Sequence, residues 1–148
     1  METMAILTGT RSFVMVDRDR HTLTLYRRRP WSSKFSVKFK RDIAVGAVGH
    51  RTPPGMYVVS SKAKDPWWQA PNSDWVPDEM KGQRFPPGDL NNPLTGAFIK
   101  LWNGIGIHGT RSIDSLGTDA SHGCIRMATE DVLELYEKVP VGTPVYIR

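Results

Sequence analysis

The sequence predicts one mainly β domain, a β-sandwich or partly closed barrel with one or two short helices near the C-terminus. Three observations carry this. The chain has 148 residues, the length of a single domain with a core of its own. Short apolar-alternating segments separated by turn residues fill most of it. Only one segment, after residue 128, repeats at helical spacing, so strands must make the core.

The elements follow in order. Phe13 to Asp17 is a short apolar strand, and Asp17-Arg18-Asp19-Arg20 is a turn. His21 to Tyr26 alternates, with Leu23 and Leu25 on one face and Thr22, Thr24 and Tyr26 on the other. Phe35, Val37 and Phe39 alternate with Ser36, Lys38 and Lys40 as a second half-buried strand, and Ile43 to Val48 continues the pattern. Thr52-Pro53-Pro54-Gly55 turns into a strand over Met56 to Ser60. From Lys62 to Pro93 the period disappears among prolines and three tryptophans, Trp67, Trp68 and Trp75. A loop so long in a compact domain is functional or disordered, and the tryptophans argue for an ordered flap beside a site. Gly96 to Trp102 and Ile105 to His108 are strands, with Tyr57 and Trp102 expected in the core. Thr129 is expected to cap a helix whose stripe is Val132, Leu133, Tyr136 and Val139. Pro140 ends that helix, and Val145 to Arg148 is the last strand.

Composition excludes several classes. Apolar residues make up 39% and charged residues 24%, the balance of a globular chain. The longest apolar stretch, Ile43 to Gly49, is too short to span a bilayer, and Met1 to Arg11 lacks the pattern of a signal peptide. A single cysteine excludes an intrachain disulfide. Charge is uneven: residues 1–51 hold 11 basic and 4 acidic side chains, residues 52–148 hold 9 and 11. The basic half either attracts an anionic partner or is a solvated face. His21 and His50 read as ordinary surface and turn residues.

The chemistry gathers in two short blocks. Cys124 lies in Ser121-His122-Gly123-Cys124-Ile125-Arg126-Met127, and His108 stands sixteen residues upstream in Ile107-His108-Gly109-Thr110. A lone cysteine is often just a small buried hydrophobe. Here Arg126 and an expected loop-to-helix junction at Cys124 should both favour its thiolate. A strand-end histidine before glycine suits a general base. A Cys–His pair is by itself a weak signal. A zinc site from His108, His122 and Cys124 matches no zinc spacing, and a serine hydrolase lacks the G-x-S-x-G elbow.

The two blocks resemble the signature of the L,D-transpeptidase catalytic domain, the YkuD domain. The likeness extends through Val14 to Tyr26, Val45-Gly46, Thr52-Pro53-Pro54-Gly55, Asn92-Pro93-Leu94 and Val141-Gly142-Thr143-Pro144-Val145. Thr95 intervenes before Gly96 in the fourth of these segments. The resemblance implies a YkuD-like fold over residues 12–148, with an N-terminal tail over 1–11 and a flap over 62–93. It implies a cysteine-dependent L,D-transpeptidase that remodels peptidoglycan through a thioester on Cys124. The acceptor is an amine, with water (a carboxypeptidase) or mere binding as alternatives. Position by position, Cys124 matches the nucleophile, His108 the general base and the Gly109 carbonyl the group that orients the imidazole. Backbone N–H groups at Gly123 and Cys124 match the oxyanion hole, and Ser121, His122 and Arg126 the rest of the motif. Trp67, Trp68 and Trp75 are candidates for a substrate-facing flap. Donor and acceptor stem peptides, and carbapenems, are the implied partners. No metal, cofactor or nucleic acid is expected. The substrate implies a periplasmic or cell-envelope location.

Overall fold

Residues 10–148 are described by a computed structural model. The N-terminal tail inferred from the sequence therefore lies, but for residues 10 and 11, outside the described residues. Two sheets pack face to face, and no barrel closes. One has five strands in the order β3-β2-β1-β13-β5: β1 (Ser12–Asp17), β2 (Thr22–Arg27), β3 (Ser36–Asp42), β5 (Gly55–Val58) and β13 (Pro144–Ile147). The other has four in the order β12-β10-β9-β6: β6 (Ser61–Lys64), β9 (Thr95–Trp102), β10 (Ile105–Thr110) and β12 (Ile125–Ala128). Helix α1 (Thr129–Lys138) lies against β9, β10 and β12. Two small pairs complete the fold: β4 (Val45–Gly46) with β11 (Asp119–Ser121), and β7 (Trp68–Gln69) with β8 (Arg84–Phe85).

The alternation rule places the core. Val14, Val16, Leu23 and Leu25 of the first sheet meet Ile99, Ile107, Ile125 and Met127 of the second, all at 1% exposure or less. Val132 and Leu135 of α1 close the layer from one side. Each such side chain contributes about 1.5–3 kcal/mol by leaving water.

Four expectations fail for local reasons. Phe39 is buried but Val37 is 57% exposed, because the β2–β3 register shifts between Leu25 and Tyr26 and breaks the alternation. Within Ile43 to Val48 only Val45 and Gly46 form a strand, and Val48 is exposed. Trp102 is half exposed, since it ends β9 at the hairpin turn Asn103-Gly104, where both residues have positive φ. Thr129 is the first helical residue, not the cap. Its hydroxyl bonds Thr95 Oγ1 at 2.6 Å instead of a helix amide.

The flap is ordered by polar anchoring more than by periodicity. Its first residues join the four-stranded sheet as β6, and β7 pairs with β8 across a 3-10 turn at Asp78–Met80. Asn92 is fully buried at its base. Its Nδ2 donates to the carbonyls of Pro66, Phe85 and Pro86 at 2.9, 3.3 and 3.2 Å, and its Oδ1 accepts the Leu94 N–H at 2.9 Å. Arg111 holds the same corner through the carbonyls of Asn92 and Asp89. Asn92→Leu strips buried carbonyls of their donor, at a cost of about 1–3 kcal/mol. The expected result is faster proteolytic nicking within residues 62–93 while β1 and β2 stay protected from hydrogen exchange.

Candidate active site

Two parallel strands set the site. β10 and β12 run side by side with Ile107 opposite Ile125 and His108 opposite Arg126. One step back along β12 brings Cys124 level with Gly106. The link between the strands, residues 111–124, is about the minimum length for a parallel crossover. It uses the small β4–β11 pair where a helix is more usual. Cys124 thus enters a strand and not a helix, which corrects the sequence reading. Helix α1 begins five residues later, so its positive end does not act at the sulfur.

The loop before the sulfur is held from both sides. Ser121 is buried; its Oγ donates to the Cys124 carbonyl at 2.5 Å and accepts the Gly123 N–H at 3.1 Å. Thr52, also buried, donates to the Gly123 carbonyl at 2.8 Å and accepts the Gly46 N–H at 2.9 Å. Gly123 has φ near +120°, a conformation that side chains rarely adopt. Thr52 was visible in the sequence only as part of a turn; its clamp on the nucleophile loop spans 71 residues. The Gly123 N–H, matched from the sequence to an oxyanion hole, is engaged by Ser121 here.

His108 is buried, with 6% of its surface exposed. Its Nδ1 donates to the Gly109 carbonyl at 2.7 Å, and since a carbonyl only accepts, the proton sits on Nδ1 and Nε2 carries the lone pair. Phe98 stacks on the ring with centroids 6.2 Å apart. Burial pushes the imidazole pKa down to about 4; the Gly109 bond works against this and the Arg126 charge with it. His108 is therefore neutral at pH 7, as a base must be.

The thiol behaves differently from the sequence expectation. Burial raises its pKa above the ordinary value, outweighing the Gly106 backbone bond and the Arg126 charge, which both lower it. Its Sγ donates to the Gly104 carbonyl at 3.7 Å, at the tip of the β9–β10 hairpin. At neutral pH the pair is a thiol and an imidazole, not a preformed thiolate.

Cys124 and His108 line one open groove of about 650 Å³. Trp68 and Trp75 line it too, and so do Leu90 and Phe98. Trp75 lies flat on His122, with centroids 3.9 Å apart and planes 9° apart, and His50 meets the other edge of His122 at 5.0 Å. His50, read from the sequence as ordinary, thus packs behind His122 of the groove wall, which is kept below its usual pKa mainly by burial. Trp67 does not face the groove: it is 54% exposed, with the Arg84 guanidinium 5.0 Å from its ring centre. His21, expected to be a plain surface residue, bonds Asp119 Oδ1 at 2.7 Å on the outer side of β11. Arg126 is half-buried in the groove wall and has no carboxylate partner among the described residues.

Comparison with known proteins finds chains similar in sequence and in fold. The model of the L,D-transpeptidase catalytic domain, YkuD, matches residues 11–147. YqjB of Bacillus subtilis, named as an L,D-transpeptidase, is 35% identical over 107 residues, covering 72% of this chain and 57% of its own length. YbiS of Escherichia coli, also so named, is 33% identical over 107 residues, covering 70% of this chain and 35% of its own. The chain thus spans roughly a third to just over half of these relatives. An L,D-transpeptidase structure from Mycobacterium smegmatis superposes with a TM-score of 0.72 at 21% identity, covering 93% of this chain and 58% of that one. LdtMt1 in complex with imipenem superposes with a TM-score of 0.71 at 20% identity, covering 93% and 59%.

Proposed function

Because the chain belongs to the L,D-transpeptidase catalytic-domain family, we propose that it is a cysteine acyltransferase of peptidoglycan stem peptides, with Cys124 as nucleophile and His108 as base. The observation that carries this reading is the fixed tautomer of His108, whose unprotonated Nε2 shares one groove with a half-buried, still protonated thiol. A neutral base beside a neutral thiol is what general-base activation of sulfur requires.

Cys124 Sγ leaves the Gly104 carbonyl and gives its proton to His108 Nε2 as it attacks the carbonyl carbon of the third stem residue. The oxyanion is received by backbone N–H groups at the Gly123–Cys124 turn; Gly123 must trade Ser121 Oγ for it, so the Cys124 N–H is the readier donor. Collapse breaks the C–N bond, His108 returns the proton to the departing D-Ala amine, and a thioester remains. An acceptor amine then attacks the thioester, His108 takes its proton, and sulfur leaves and is reprotonated. Arg126, a cation in the groove wall with no carboxylate partner among the described residues, receives a stem-peptide carboxylate. The Trp75–His122 stack and Trp68 bound the donor channel, and residues 62–93 serve as its wall within a catalytic domain over residues 12–148. The substrate places this chemistry in the periplasm or cell envelope. β-Lactams of the carbapenem class are expected to acylate the same sulfur.

Mass spectrometry of tetrapeptide muropeptides incubated with the protein tests the reading. The expected products are free D-Ala and a new dimer joined through the third residues of two stems. Loss of D-Ala without a dimer assigns water as acceptor, a carboxypeptidase. Unchanged muropeptides overturn the enzyme reading and leave a binding module.

A further inference from the structure

We propose that the β2–β3 hairpin is a docking surface for an anionic lipid bilayer, separate from the catalytic groove. From Arg27 to Arg41 the chain carries seven cations and no acid. Five of them, Arg27, Arg28, Arg29, Lys34 and Lys38, line with Arg11 a recess of about 440 Å³, and no carboxylate among the described residues lines it. Several cations outside the recess are paired with acids: Arg41 with Asp131 and Glu134, Arg148 with Asp17, Lys64 with Glu137. In the recess the guanidiniums of Arg27 and Arg28 are held by neutral acceptors. Arg27 Nη2 donates to the Lys138 carbonyl at 2.7 Å, and Arg28 donates to the Thr10 and Ser32 carbonyls at 2.6 and 3.1 Å. Those bonds fix the two groups in place and leave their charge without a counter-charge among the described residues. Concentrated positive charge held rigidly at a surface attracts phosphate.

The tip of the hairpin identifies the kind of anion. Trp31 is 78% exposed beside exposed Pro30, and the Arg29 guanidinium lies 5.8 Å from its ring centre. A soluble phosphodiester polymer without aromatic bases to stack is satisfied by the cations and has no use for a solvent-facing indole. A bilayer uses both, with the indole at the headgroup boundary and the cations on the phosphates. β3 is an edge strand, and exposed Val37 adds apolar surface on it. None of the residues lining the catalytic groove belongs to residues 11–41, so the groove stays open when this edge is docked.

The test is sedimentation of the intact protein with vesicles of phosphatidylglycerol in phosphatidylcholine, against phosphatidylcholine alone. Binding only to the anionic vesicles, weakening with added salt, is expected. Replacing Arg29, Lys34 and Lys38 by Gln should lower partitioning by about 100-fold, at roughly fivefold for each cation near an anionic surface. Replacing Arg20, Lys81 and Lys100 by Gln removes the same charge elsewhere and should change it far less. Trp31→Ala should weaken binding with charge unchanged, and all variants should keep the wild-type circular dichroism. Equal losses in the two triple variants would reduce the effect to net charge and overturn the proposal. Binding indifferent to Trp31→Ala and fully displaced by soluble polyphosphate would also overturn it, in favour of a polyanionic polymer.

Discussion

Cys124→Ala releases no D-Ala from a tetrapeptide donor, while Cys124→Ser retains a trace on the order of 10⁴-fold or more below wild type, the scale on which loss of a catalytic nucleophile is felt. The serine variant is the sharper of the two. It preserves size and the hydrogen bond available to Gly104, and changes the acidity of the attacking group. Burial already holds the thiol protonated near neutrality, and a hydroxyl in the same place lies far beyond reach of an imidazole whose own pKa is about 4. Both variants keep the Ser121 and Thr52 clamps, which touch only the backbone at this loop, so melting temperatures close to wild type are expected. Release of D-Ala by Cys124→Ala at the wild-type rate would move the chemistry to another residue.

His108→Ala slows acylation by about 10²–10⁴-fold at pH 7, the usual worth of a positioned general base. The pH dependence separates this role from mere support of the fold. In the wild type the base is lost only as pH falls through about 4, where His108 takes up its proton, so the rate is flat through the neutral range. In His108→Ala the plateau disappears, and the rate climbs about tenfold per pH unit toward alkaline conditions, following the thiolate fraction. Stability carries the same signature with the opposite partner state. Between pH 6.5 and about 4 the unfolded chain binds a proton at His108 that the folded protein refuses. Wild-type stability therefore falls as pH drops through that window, and His108→Ala flattens this part of the curve. Urea midpoints across the window measure it. A His108→Ala profile parallel to wild type at every pH would make the imidazole a structural group only.

The β-strand framework and the one helix could be read along the chain because both rest on local alternation and local stripes. Leu23 and Leu25 are buried as their spacing requires, and so are Val132 and Val139. What escaped was set by pairing at a distance. The exposure of Val37 follows from a bulge formed with β2, and no pattern within 35–39 encodes it. The strands on either side of Asn103-Gly104 were legible, and the hairpin between them supplies at its tip the carbonyl that holds the thiol. The site divides the same way. Cys124 and His108 announce themselves by residue type and by family resemblance, and the structure puts both in one groove. Thr52 and Asn92 do not, because a buried hydroxyl or amide earns its role only from the carbonyls that meet it across 71 and 26 residues. The thiol's acidity was misread because the helix expected at Cys124 begins at Thr129, which leaves burial as the largest influence.

The central claim is that Cys124 sulfur is an acylating nucleophile, and the intact mass of the protein after incubation with a carbapenem measures it most directly. Sulfur attack opens the strained β-lactam amide and leaves the whole ring-opened molecule attached. The wild type is expected to gain the mass of one carbapenem and lose its titratable thiol, with peptide mapping placing the adduct on Cys124, the only cysteine in the chain. Cys124→Ala is expected to keep its own mass under the same conditions. A wild-type protein of unchanged mass with its thiol still free would contradict the account.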